Sequence, residues 1–168
     1  MGGAERDEAA EPGRVRPARP QEIDRVAALW GLITDHHAAL DPLFRMRRGP
    51  VAEGELRELL RAMQRDPDAE ILVFERDGSP VGLCIVRIDS APPILEETER
   101  AEITDVGIRP EWRRQGIATQ LVRAAEAWVR ARGVARIEIQ VAGGNREGQA
   151  FWRAMGYGHL MDVLHKRL

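Results

Sequence analysis

The tightest constraint on this chain is a junction in its second half, where a strand passes into a helix through a short arginine-rich turn. Ala101 to Ile108 is short, rich in β-branched residues and partly alternating, which is the pattern of a strand. Pro110 stops it, because proline has no N–H to give to a ladder. After Gly116 the apolar residues Ile117, Leu121, Ala125 and Trp128/Val129 recur at three and four, which is helical spacing. Backbone N–H groups from Arg114 to Thr119 then stand at a helix start without partners, where the macrodipole is positive. Such a turn binds phosphate anions, and Gly116 and Ala118 let a diphosphate approach the backbone with little side chain in the way.

Several phosphate sites share that logic, so the residues themselves must choose. A Walker loop needs Gly-x-x-x-x-Gly-Lys-Ser/Thr and a dinucleotide turn needs Gly-x-Gly-x-x-Gly, and neither is present. What stands here is Ile108-x-Pro110-x-Trp112-Arg113-Arg114-Gln115-Gly116-Ile117-Ala118. It resembles motif A of the GNAT superfamily of acyl-CoA-dependent N-acyltransferases, Arg/Gln-x-x-Gly-x-Gly/Ala, here Arg113-x-x-Gly116-x-Ala118. A second stretch, Asn145 to Tyr157, sits where that family has its next motif, and together they cover roughly residues 100 to 157.

The rest of the chain reads as one domain over 14–168 behind a small, charged, Pro/Gly-containing tail at 1–13, expected to be disordered. Val15–Ala18 is a short strand, and Ile23, Val26, Leu29, Trp30 and Ile33 mark a helix over about 21–39. A basic loop covers 41–50, and Val51–Gln64 is a second helix with Leu56, Leu59, Leu60 and Met63 inward. Ile71–Glu75 and Val81–Ile88 are strands joined through Asp77-Gly78, a hairpin signal. An acidic loop over Ala91–Arg100 precedes the junction, whose helix ends near Gly133. Then come a strand at Ala135–Val141, a helix at 145–155 and a last strand at Leu160–Lys166. The order βααβββαβαβ predicts an α+β fold. The resemblance implies the same: a mixed, mostly antiparallel sheet with a splayed parallel pair, flanked by helices.

Composition narrows the function classes. A formal net charge of −2 gives no bulk electrostatic case for nucleic acid, and the arginines at the turn are local. No apolar run approaches the ~20 residues of a membrane span, and no secretory signal or metal-ligating motif is legible. The single cysteine, Cys84, lies in the apolar run Val81–Val86 and reads as a buried structural thiol, compatible with a reducing, cytoplasmic setting.

The resemblance implies which residues meet the co-substrate, acetyl-CoA. The backbone of Arg114, Gln115, Gly116, Ile117, Ala118 and Thr119 holds the diphosphate, with Arg113 and Arg114 in reach of it. Val106, Gly107 and Ile108 pair with the pantetheine arm as with an added strand, Gly107 suits the bulge that opens the splay, and Asn145 holds the arm. Where many relatives carry an acidic Tyr seven residues after that Asn, this chain has Trp152, which leaves Tyr157 as a candidate acid or no acid at all. Gln140 stands where some relatives have a Glu base. Glu102 and Asp105 remain as candidate bases, and strict alternation puts them on opposite strand faces, with Glu102 favoured. The implied activity is transfer of an acetyl group to a primary amine, of a small molecule or a peptide, by direct attack in a ternary complex. A non-catalytic acyl-CoA sensor is the alternative, and a homodimer stays open. Asp35, Asp41, Glu96, Glu97 and Glu99 around the acceptor mouth point to a cationic amine.

Overall fold

The computed structural model describes residues 12–166, so the expected tail at 1–13 lies almost wholly outside the described residues. Five strands form one sheet in the order β1-β2-β3-β4-β5: β1 (Arg14–Pro17), β2 (Ala69–Arg76), β3 (Ser79–Ser90), β4 (Glu99–Ile108) and β5 (Ile137–Ile139). The first three pairings are antiparallel and β4 with β5 is parallel. Asp77 and Gly78 both have positive φ, 49° and 69°, and close the β2–β3 hairpin with the twist such a turn requires.

Helices cover both faces. α1 (Ile23–Leu40) and α2 (Pro50–Arg65) lie on one, burying Ile23, Val26, Leu29, Ile33, Leu56 and Leu60 against Ile71, Val73, Leu83 and Ile85. α3 (Ile117–Ala131) lies on the other, with Ile117, Leu121, Val122, Ala125 and Val129 against Leu72, Cys84, Val86, Ala101 and Ile103. α4 (Arg146–Ala154) adds Trp152 to that second layer. Cys84 is fully buried there, and burial pushes its thiol well above the ordinary range, so it is a packing residue.

Two expected elements differ. β5 is only three residues long instead of spanning Ala135–Val141, because its pairing with β4 ends at Ile103↔Ile139. The strand expected at Leu160–Lys166 does not form: residues 157–166 carry no regular structure, and Leu160, Met161, Val163 and Leu164 are exposed. An alternating apolar segment becomes a strand only where an edge receives its hydrogen bonds, and among the described residues none does.

Candidate active site at the β4–α3 junction

The turn after β4 has the geometry of an anion cradle. A short 3-10 turn at Pro110–Trp112 leads into Arg114 with φ 63° and Gly116 with φ 75°, both left-handed, and Gly116 caps α3. Among the described residues none of the N–H groups from Arg114 to Thr119 has a hydrogen-bond partner, and the first bond of the helix is Gln120 N–H to Gly116 O at 3.2 Å. A Cβ at Gly116 would meet nothing within 4 Å, so it is the positive φ that calls for glycine here. Six free donors at the positive end of a helix form the cradle. Arg113 turns back and donates from Nε to Ile108 O at 3.2 Å, while Arg114 stays exposed. Arg76, distant in sequence, donates to Gln115 Oε1 at 3.4 Å and stacks 4.6 Å over the Trp112 ring.

Beside the cradle runs a free strand edge. β5 pairs with Ala101, Glu102 and Ile103 only, so the β5-side edge of β4 is unpaired from Thr104 through Val106, Gly107 and Ile108. The bulge expected at Gly107 lies instead at Thr104, where the β3 register steps from Val86↔Ile103 to Ile85↔Asp105. Gly107 has a packing reason: a Cβ there would stand 2.1 Å from Ile33 Cγ1, so its absence lets α1 sit against β4. The displaced bulge also corrects the expected alternation, since one inserted residue flips the phase of the strand. Ala101, Ile103, Val106 and Ile108 join the α3 layer, whereas Asp105 and Gly107 pair with Ile85 and Leu83 of the α1–α2 layer. Glu102, two steps before the bulge residue and paired with Arg87, shares that face with Asp105 instead of opposing it.

The two carboxylates meet different surroundings. Glu102 is held by Arg87 Nη2 at 2.9 Å and approached by Gln140 Nε2 at 3.4 Å. Among the described residues Asp105 pairs with no Arg or Lys, and burial pushes its carboxyl above the ordinary carboxylate range, with Glu102 adding to the rise and Thr104, Trp30 and His37 working against it. His37 is held below the ordinary histidine range, chiefly by burial and then by His36, with Asp105 opposing. A carboxyl raised by burial and a depressed imidazole beside an open strand edge are groups able to take up a proton.

Tyr157 is placed elsewhere. Its hydroxyl donates to Glu126 Oε1 of α3 at 3.3 Å, its ring packs edge-on against Trp152 at 4.9 Å, and burial beside Glu126 drives its pKa well up. Asn145 caps α4 by accepting from Gly148 N–H at 2.9 Å. Of the acids expected around the acceptor mouth, Asp35 pairs with Arg48 at 2.7 Å, Glu97 pairs with Arg136 at 3.0 Å, and Asp41 accepts from Leu43 N–H at 2.8 Å. His37, Trp30 and Arg76 were missed by sequence reasoning. The first two read as helix residues, and the third as the end of a hairpin strand.

Among the described residues no helix is long and apolar enough to cross a membrane, and no group of three or more His, Cys, Asp or Glu is placed to hold a metal ion. The profile of the Acetyltransferase (GNAT) family matches residues 33–157. The chain belongs to that family. Among curated proteins it is similar to a putative [ribosomal protein bS18]-alanine N-acetyltransferase of Bacillus subtilis, 29% identical over 54% of this chain and 55% of the relative. It is also similar to a type 1 aminoglycoside N(6')-acetyltransferase of Acinetobacter genomosp. 13, 26% identical over 67% of this chain and 78% of the relative. The chain thus spans only about half the length of the first of these. Solved GNAT structures share the fold. A mutant of the Bacillus halodurans protein BH1408 superposes with TM-score 0.80 at 19% identity, covering 92% of this chain and 99% of its own. An aminoglycoside N-acetyltransferase in complex with CoA superposes with TM-score 0.75 at 15% identity, covering 96% and 97%.

Proposed function

We propose that this GNAT-family protein transfers the acetyl group of acetyl-CoA to a primary amine, by direct attack with both substrates bound. The observation that carries the reading is the row of six unpartnered N–H groups from Arg114 to Thr119, continuous with the free β4 edge at Val106–Ile108. A diphosphate takes the first and an extended amide chain takes the second, which is the shape of CoA. Asn145, at the head of α4, is a further candidate contact for that chain. Bound acetyl-CoA supplies an activated acyl group.

Everything else falls to the protein. An alkyl ammonium group has a pKa near ~10.4, so at neutral pH its nitrogen must lose a proton before it attacks. Asp105 is the better base: it is half-buried, raised in pKa and free of a cationic partner, whereas Arg87 neutralises Glu102. Glu102 sits on the same face and is a second stop for the proton on its way to solvent. The new C–N bond forms as the C–S bond breaks and the thiolate leaves. Tyr157 is not needed as an acid, since a thiol pKa near ~8.5 makes thiolate a tolerable leaving group.

Two measurements test this. At a hundredfold excess over its Kd, CoA should stabilise the fold by ~2.7 kcal/mol, and amines should release thiol from acetyl-CoA. Stabilisation without thiol release from any amine would leave a sensor domain, and the absence of both stabilisation and thiol release would overturn the phosphate assignment.

A further inference from the structure

Arg76, at the end of β2, reaches the cradle from far along the chain. Gly82 of β3 brings the two together. A Cβ there would stand 2.7 Å from Ile108 Cδ1 and 3.0 Å from Leu121 Cδ1, so its absence lets the start of α3 settle beside the β2–β3 hairpin. The Arg76 guanidinium then lies 4.6 Å over the Trp112 ring, and Trp112 is itself packed against the core on the α3 side. Its Nη1 donates to Gln115 Oε1 at 3.4 Å, a long bond to a neutral acceptor. Its Nε is buried and has no hydrogen-bond partner.

The other strand arginines are neutralised. Arg14 and Arg16 of β1, Arg87 of β3 and Arg100 of β4 are each ion-paired with a carboxylate. Among the described residues Arg76 has no such partner, and the adjacent Glu75 is taken up by Arg14, Arg16 and Arg19. A cation laid flat on an indole, half-buried and without a counter-charge, is costly until an anion completes it. We propose that this anion is a phosphate of the co-substrate, and that Arg76 is a further CoA-binding residue. The proposal rests on the CoA reading of the cradle and adds to its six neutral N–H donors one fixed positive charge. Arg113 is turned back to Ile108 O and Arg114 stays exposed, so neither supplies a cation held in place as Arg76 is. The stack on Trp112 also holds the guanidinium fork in advance, so little side-chain freedom is lost when it bonds phosphate. Both the diphosphate and the 3′-phosphate of the ribose offer that chemistry.

Calorimetric Kd values for CoA and dephospho-CoA, with the full chain and no acceptor, test this. Arg76→Met should weaken CoA by roughly tenfold or more at low salt, and Arg76→Lys, which keeps the charge, should weaken it much less. The Arg76→Met loss should shrink as salt rises from ~0.1 M to ~1 M, where the Debye length falls from ~10 Å to ~3 Å. A loss confined to CoA assigns the 3′-phosphate, and an equal loss for both ligands assigns the diphosphate. Far-UV circular dichroism checks the fold, and Arg76→Gln takes the place of Arg76→Met should that variant not fold. An unchanged Kd in the folded variant overturns the inference while the cradle keeps its ligand. Equal, salt-independent losses in Arg76→Met and Arg76→Lys overturn it in favour of a prop for the turn. Wild-type protein that binds neither ligand overturns the inference and the CoA reading together.

Discussion

As the proposed base, Asp105 would set stability against function. Its carboxyl is raised above the ordinary 3.8 by burial, so between that value and its folded pKa the native state holds more protons than the unfolded chain. Stability from this group is therefore lost as pH rises through that window, and at neutral pH the charged form is a cost. Asp105→Asn should raise Tm at pH 7, with the gain shrinking as pH falls towards 3.8. The same change should lower kcat by ~10²–10⁴, whereas Glu102→Gln should cost less. Thermal melts across pH with initial rates check both halves, and unchanged kcat in Asp105→Asn together with a loss in Glu102→Gln would transfer the role to Glu102. Gly116 carries a cleaner contrast. Asn and Asp both tolerate its φ of 75°, and Asp at a helix N-terminus even stabilises by about 0.3–1 kcal/mol. Gly116→Asp should stay folded yet raise the KM for acetyl-CoA well beyond the effect of Gly116→Asn, because only Asp sets a negative charge in the cradle. Equal KM values for the two variants would show that no anion binds there.

Between elements, the decisive contact is α1 against β4. Gly107 exists so that Ile33 can approach, with no room for a methyl group at 2.1 Å. Gly107→Ala should destabilise by roughly 1–3 kcal/mol through overpacking. Ile33→Ala alone should cost ~2–5 kcal/mol through its cavity, and the double variant should cost clearly less than the sum, since each change relieves the other. A denaturant-melt cycle reads this directly, and strict additivity would show that the two residues do not meet in solution. The same helix carries Trp30 and His37, both of which act on the carboxyl of Asp105, the proposed base. At α4, Asn145→Ala should remove the cap and cost ~1 kcal/mol, and a loss of CoA affinity shared by Asn145→Ser, which keeps a capping oxygen, would mark a direct contact with the ligand.

At the scale of the molecule, one ion network ties the chain start to the sheet. Arg16 of β1 bonds Glu22 at 2.6 Å and also Glu75 of β2, with Glu22 and Arg16 side chains only 7% and 12% exposed. The guanidinium holds Glu22 down at about 2 against an ordinary 4.5. Its stabilisation is therefore full above 4.5 and is lost as pH falls towards 2, the opposite direction from Asp105. Between pH 5 and 3 the wild type should lose more Tm than Glu22→Gln, measured by calorimetry, and parallel curves would remove Glu22 from the acid-sensitive set. Arg16→Met should be worse than replacing Glu22, since it strands the buried Glu22 carboxylate, whereas Glu75 keeps Arg14 at 3.2 Å and Arg19 at 3.7 Å.

Much of this architecture is local and was legible in the residues alone. The β4–α3 turn, the Asp77-Gly78 hairpin, the spacing of Ile117, Leu121 and Ala125 and the Asn145 cap each depend on neighbours within a few positions. The residues fixing the anion cradle are therefore adjacent, and so is the motif that named the family. The face proposed to carry the base was not local. Whether Glu102 and Asp105 share a side depends on an extra residue at Thr104, and only the register of β3 decides where β4 bulges. His37 and Trp30 come towards Asp105 from far along the chain, on the side where Gly107 admits Ile33. The segment at 160–166 has the pattern of a strand without becoming one, because pattern supplies side chains and only tertiary structure supplies an edge to pair with.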